Sequence, residues 1–283
     1  MTSTQVTPVH EFDAPARAGR VVRVVFPGSS WMPQRLIITI DGPAGTGKST
    51  VARELARKLG VDFLDTGSMY RAAAVIAVER LKIRVGGNGE IDAADGARLV
   101  DEVGRVDMHF DWSKDPPDLL CDGRSMMRRI RDDDVTKIVS PIAGIAALRH
   151  VMVRRQREIA DAHQRLVTEG RDQGSEVFKD ADAKFYLSAS PEVRAKRRAE
   201  ELKAKHMIGP MADENRILTE IIERDRSDAS RDVGPLVCPE GAERVDTSFM
   251  SIDEVVEELE RRVRRKVSAG QLAGEAGDGA VGR

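Results

Sequence analysis

Nine consecutive residues, Gly42, Pro43, Ala44, Gly45, Thr46, Gly47, Lys48, Ser49 and Thr50, hold the densest chemical signal in the chain. Glycines at 42, 45 and 47 let the backbone curl with its N–H groups turned inward. That makes a nest for phosphate oxygens at the positive end of the helix that follows. Lys48 reaches the β- and γ-phosphates, and the Ser49 hydroxyl is placed to hold Mg²⁺. Strand, loop, lysine, hydroxyl and helix occur in order, which an unliganded glycine turn would not require. The expected ligand is a purine triphosphate with Mg²⁺. The loop alone does not name a reaction.

Three further clusters could act on phosphate. Residues 224–231 read RDRSDASR, with Arg224, Asp228 and Arg231 on one side if the segment is helical. Two guanidinium forks would then flank one carboxylate, a set suited to a phosphate and a sugar hydroxyl. The same pattern describes an exposed, salt-bridged helix face of little energetic weight. Arg194, Arg197 and Arg198 share a helix side by spacing, which fits either a solvated surface or a lid closing over phosphates. Tyr70 and Arg71 follow an Asp65-Thr66-Gly67-Ser68 turn and emerge beside the first loop.

The elements that must place these groups alternate between strand and helix. The β-branched run 36–40 reads as a buried strand, with a helix over 49–59 that Gly60 caps. A strand at 61–64 leads into a helix at 69–78. Residues 105–129 read as short antiparallel strands around a Lys114-Asp115-Pro116-Pro117 turn, with His109 and Trp112 as packing residues. A helix from Asp132 is kinked or restarted by Pro141, and 146–162 is continuous helix. Strands at 165–169, 183–189 and 244–247 alternate with helices from Pro191, over 213–226 and over 252–262. This is the pattern of an α/β parallel sheet with helices on both faces.

Composition narrows the class. The 283 residues carry 45 Lys+Arg against 47 Asp+Glu, so no net field favours nucleic acid or an anionic membrane. Aromatic residues are 4%, too few for a base-stacking platform. Cys121 and Cys238 show no metal-ligand spacing, so free thiols in a reducing compartment are expected. No apolar stretch approaches a membrane span. Residues 1–34 read as a disordered leader and 268–283 as a disordered tail.

Taken together, IDGPAGTGKST, LDTGSMYRA, LLCDGRSMMRRIR, VSPIAGIAALR, EGRDQGSEVFKDADAKFYL, RAKRR and ERDRSDASR resemble the bacterial-type cytidylate kinases, over residues 36–262. The resemblance implies a P-loop NTPase fold: a five-stranded parallel sheet flanked by helices, a small nucleotide-monophosphate-binding insert and a short lid. In residue terms the core is 35–80 and 164–267, the insert about 81–163 and the lid about 194–212. It further implies transfer of the γ-phosphate of ATP to CMP or dCMP, with Mg²⁺, in a cytoplasmic monomer without nucleic-acid or membrane partners. Ser140, Arg149 and Asp172 would face the cytosine. Arg71, Arg171 and Arg231 would hold the acceptor phosphate, Arg224 and Asp228 the ribose, with Thr66 and Tyr70 lining the same pocket. Lys48, Arg171, Asp172 and Arg231 would carry catalysis. Arg194 and Arg198 would join the loop residues in binding ATP. Ser49 stands where this family often has glycine, which leaves both Ser49 and Thr50 as candidates for the metal contact. Thr66 replaces a frequent serine. A P-loop kinase of another small acceptor, such as another nucleotide or shikimate, would have no use for the cytosine-facing set. A GTP switch would usually need an N-K-x-D segment, which the sequence lacks.

Overall fold

In the computed structural model, residues 32–87, 89–204 and 213–278 are described, with side chains described through residue 269. The first 31 residues of the expected leader, the end of the expected lid (205–212) and the last five residues of the tail lie outside them.

Five strands form a parallel sheet: β1 (Leu36–Asp41), β2 (Asp62–Asp65), β6 (Arg165–Gly170), β7 (Ala183–Ser188) and β8 (Glu243–Asp246), in the order β2-β6-β1-β7-β8. The central strand β1 pairs with β6 from Leu36 opposite Arg165 to Asp41 opposite Gly170, and with β7 on its other edge. Its side chains alternate between two cores. Ile37 faces one with Leu64 and Leu166, while Leu36, Ile38 and Ile40 face the other with Val167 and Phe185. A central parallel strand buried on both faces needs this unbroken apolar run.

The helices fall on the two faces. α1 (Lys48–Leu59) and α8 (Ile252–Asp278) cover the Ile38 side. α2 (Thr66–Glu79), α4 (Asp133–Ala143) and α5 (Ala146–Ala162) cover the Ile37 side. Between α2 and α4 come α3 (Ala93–Arg105) and an antiparallel sheet of β3 (Met108–Asp111), β4 (Asp118–Cys121) and β5 (Arg124–Ser125). This insert shares one apolar cluster with α2, Leu99, Phe110 and Leu119 packing with Ala73, Ile76 and Ala77. α6 (Pro191–Ala204) and α7 (Glu214–Ala229) make a hairpin with its own small core of Ala195, Ala199, Ile217 and Ile221.

Several elements differ from the sequence expectation, each for a local reason. Pro141 neither kinks nor restarts a helix. It sits in the last turn of α4, and the break falls at Gly144 and Ile145, whose N–H groups donate to Pro141 and Ile142 in a tightened turn. α4 and α5 meet there at 97°. His109 is exposed and bonds Asp107, because the pleat of β3 turns Phe110 inward and His109 out; Trp112 does pack, stacked on His163 at 3.9 Å. Met32 and Pro33 rest on the core instead of trailing as leader. The last helix does not stop near Arg262 but runs through Asp278, carried by buried Val255, Leu259, Val263 and Val267 and by Glu258–Arg262 and Glu260–Arg264 pairs. Both cysteines are free thiols, Cys121 in the core and Cys238 half-buried. Among the described residues no single helix is long and apolar enough to cross a membrane.

The C-terminal ends of β1, β2 and β6 lie side by side, and β1 runs directly into the glycine loop. Gly42 has φ +145°, and a Cβ there would collide with the Leu187 carbonyl oxygen of β7. Gly42→Ala should therefore cost about 3 kcal/mol and lower Tm by on the order of 10 °C, as read by calorimetry. An unchanged Tm would mean that the loop does not rest on β7.

Candidate active site

In an open parallel sheet, ligands bind beyond the carboxyl ends of the strands, and the chemistry-bearing residues gather there. Gly45 (φ +80°) and Gly47 (φ +85°) shape the loop at the start of α1. Lys48 is buried, and its Nζ donates to the Pro43 carbonyl at 2.7 Å. Burial, helped by the nearby Arg171 charge, pushes this ammonium down to about 7. Ser49 and Thr50 are both exposed; Ser49 Oγ donates to Glu169 Oε1 at 2.9 Å. Glu169 also lies against Asp65, the N-cap of α2, whose carboxyl is pushed up to about 7 by burial and by the Glu169 charge. Thr66 Oγ1 donates to the Glu169 carbonyl at 2.7 Å and is buried.

Beside this loop stand four arginines and one carboxylate. Arg224 and Asp228 lie in the last two turns of α7, and Arg231 follows the helix but turns back to Asp228. Arg171, just past β6, donates its Nε to Asp228 Oδ2 at 3.0 Å. Asp228 is buried, which would raise its pKa, yet the charges of Arg171, Arg231 and Arg224 outweigh that and hold it low. Arg71 donates to the Ile130 carbonyl at 3.0 Å and to Thr136 Oγ1 at 3.1 Å, so the short 3-10 turn at Arg129–Arg131 and α4 fix its direction. Positive charge exceeds negative here. Arg224 is pushed down to about 10 by burial and by Arg171, and the Nε atoms of Arg224 and Arg231 have no hydrogen-bond partner among the described residues. Four like charges crowded around one carboxylate, with unspent donors, define an anion site.

A second polar group adjoins the first. Arg149, only 2% exposed, bonds the Asp172 carboxylate, donates to the Ala143 carbonyl at 3.0 Å and lies 5.3 Å over the Tyr70 ring. The break between α4 and α5 makes this possible. It exposes the Ala143 carbonyl at the end of one helix to a side chain from the first turn of the next. Ser140 Oγ and Arg149 Nε are buried without a partner among the described residues. Burial raises the Tyr70 phenol, which stays neutral.

The structure thus brings together Lys48, Arg71, Arg171, Arg224, Asp228 and Arg231, and joins Tyr70, Arg149 and Asp172. The arginines of α6 do not form one open face. Arg194 is buried, donating Nε to Ala189 and NH1 to Ala44, both at 3.0 Å, with NH2 on Asp225 at 2.7 Å. Its three nitrogens thus tie the start of α6 to the Ala189 carbonyl, the phosphate loop and α7. Of the side of α6 that the spacing identified, Arg194 packs against that loop. Arg197 is held by Thr247, and Arg198 alone stays exposed, paired with Glu201 and close enough to Arg71 to act on its charge. Sequence reasoning did not select Glu169, Asp65 and Asp41 as site residues. Their signal was position, since all three end or nearly end strands at the sheet's carboxyl edge.

A phosphate loop on the central strand of a parallel α/β sheet, faced by an arginine cluster, defines a P-loop phosphotransferase. The chain belongs to the cytidylate kinase family, whose model matches residues 38–265. It is 39% identical to the cytidylate kinase of Mycobacterium leprae over 83% of this chain and 98% of that one. The cytidylate kinase of Pelotomaculum thermopropionicum is 41% identical over 80% and 95% of the two chains, and that of Rhodococcus jostii 37% over 84% and 98%.

The low-lying ammonium of Lys48 gives a measurable signature. With burial pulling its pKa down to about 7, it is expected to lose part of its charge at pH 8, and an anion bound beside it would favour the protonated form. Binding of metal-free ATP should take up on the order of one proton per site, seen as a dependence of calorimetric heat on buffer ionisation enthalpy. Heats independent of the buffer would contradict this.

Proposed function

We propose that this enzyme transfers the γ-phosphate of ATP to CMP, giving ADP and CDP, with dCMP as a second acceptor. The observation that carries the choice of acceptor is the buried Arg149–Asp172 pair with its unspent Arg149 Nε, together with the buried, unpartnered Ser140 hydroxyl of α4. In this reading Asp172 and Ser140 accept from the cytosine amine and Arg149 donates to the ring carbonyl, an order of donors and acceptors that adenine and guanine do not match. Arg71, Arg171 and Arg231 hold the acceptor phosphate. Arg224 and Asp228 flank the ribose, Asp228 also setting the spacing of the arginines it pairs, and Thr66 and Tyr70 wall the pocket.

The donor triphosphate lies in the loop formed by residues 42–50, with Lys48 moving from the Pro43 carbonyl to a phosphate oxygen. An acceptor phosphate oxygen attacks the γ-phosphorus in line while the bond to the ADP oxygen breaks, without a covalent enzyme intermediate. Positioning and charge neutralisation supply the rate. A hard divalent cation fits the oxygen set of Ser49, Glu169 and Asp65, where the two carboxylates crowd each other closely enough that the Glu169 charge helps to push the Asp65 carboxyl up. Mg²⁺ held there would neutralise charge on the triphosphate. Ser49 is favoured over Thr50 because its hydroxyl already meets Glu169. The α6–α7 hairpin, with Arg198 on its open side, would exclude water that could otherwise accept the phosphoryl group. The small-molecule substrates and free thiols suit a monomer of the cytoplasm that works without nucleic acid or membrane.

A coupled ADP-release assay across CMP, dCMP, UMP, AMP and GMP should put CMP and dCMP well ahead; equal or faster turnover of AMP would overturn the reading. Arg149→Ala leaves Asp172 buried and unpaired at a cost of about 3 kcal/mol. It should raise the KM for CMP by roughly a hundredfold with the KM for ATP unchanged. Loss of ATP affinity with CMP affinity kept would reverse the assignment of the two halves.

A further inference from the structure

Asp41 closes β1 and has no exposed surface, and the next residue opens the phosphate loop. Its carboxylate reaches across to the turn after β6. Oδ1 accepts the N–H of Gln173 and Oδ2 the N–H of Gly174, both at 2.7 Å. Among the described residues no arginine, lysine or histidine pairs with it within salt-bridge distance. A lone buried carboxylate is costly to keep; burial pushes it up to about 7 even though the two backbone N–H groups pull the other way. The two amides it grips come directly after Arg171 and Asp172.

The rest of that turn is seated just as closely. The Gln173 amide oxygen accepts from Thr168 Oγ1 at 2.9 Å, and its nitrogen donates to Gln156 at 3.1 Å. The Asp172 carbonyl accepts from Glu176 and Val177, which starts a single π-helical turn over Gln173–Val177. A Cβ on Gly174 would come within 2.8 Å of Thr39 Oγ1, so the backbone lies hard against β1. Strand pairing between β1 and β6 ends with Asp41 opposite Gly170. Beyond that point the Asp41 carboxylate is what continues to tie the two chains.

We propose that Asp41 is a positioning residue, clamping the Arg171–Asp172 turn to the base of the phosphate loop so that the two substrate arms share one rigid joint. This rests on the acceptor reading above for what Arg171 and Asp172 hold. A reaction that depends on in-line approach is sensitive to such a joint, since a misplacement of about 1 Å can cost on the order of a hundredfold.

Asp41→Asn keeps the volume but sets an amide NH₂ against one of the two backbone N–H groups. The KM for CMP should rise and kcat fall, each by about tenfold or more, while the KM for ATP stays within about twofold. Preference for CMP over UMP should shrink as Asp172 shifts. A loss of kcat with both KM values unchanged, or an equal rise in both, would overturn the proposal. If the variant does not fold, amide hydrogen exchange on the wild-type enzyme answers the same question. Gln173 and Gly174 should be protected before any nucleotide is added, and exchange there as fast as in surface loops would refute the clamp. Wild-type enzyme that ignores CMP would sink the acceptor reading, and the exchange result would stand apart from it.

Discussion

The mutual repulsion of Arg71, Arg171, Arg224 and Arg231, held around the single carboxylate of Asp228, is the constraint on which the site depends. Left alone, such a cluster would spread into solvent. Each guanidinium is instead fixed by a separate part of the chain: Arg71 by the turn before α4, Arg171 by the end of β6, Arg224 by α7 and Arg231 by the loop beyond it. The folding free energy of the two cores holds the charges together against one another. The site is thereby preorganised for an anion, and little reorganisation is needed when charge arrives.

Much of this was legible in the sequence because it rests on local rules. The glycine loop is set by φ values that only glycine adopts readily, and the strand before it by an unbroken apolar run. The α/β alternation followed from periodicity, and the five-stranded parallel sheet from the resemblance. The arginines of the 224–231 segment were placed by helical spacing, and Arg224 and Asp228 do lie in one helix, while Arg231 joins them from beyond its end. What spacing did not reveal is which side of α6 faces the protein. Arg194 and Arg198 are equivalent on a helical wheel, yet one is buried under the phosphate loop and the other is open to solvent. Only the packing of α6 against residues 44–45 decides between them.

The acidic residues behind the site were harder to read for a different reason. Asp41 and Glu169 do their work through partners more than a hundred residues away, Gln173 and Gly174 in one case and Ser49 in the other. A single sequence contains no periodicity that links such positions. Their location at strand ends was the available clue, since in a parallel sheet that edge is where ligands bind. The bend between α4 and α5 falls at Gly144 and Ile145, although Pro141 is the stronger local signal for one. Pro141 gives up one backbone bond to Lys137, yet α4 runs on to Ala143, and the chain turns where Gly144 and Ile145 bond back to Pro141 and Ile142.

The burial of Arg194 has a mechanical consequence for the α6–α7 hairpin. The near end of α6 is bolted to the phosphate loop through Ala44, to α7 through Asp225 and, by Arg197, to the segment after β8 through Thr247. That end behaves as part of the foundation. It cannot shift without breaking polar ties to three separate segments of the chain.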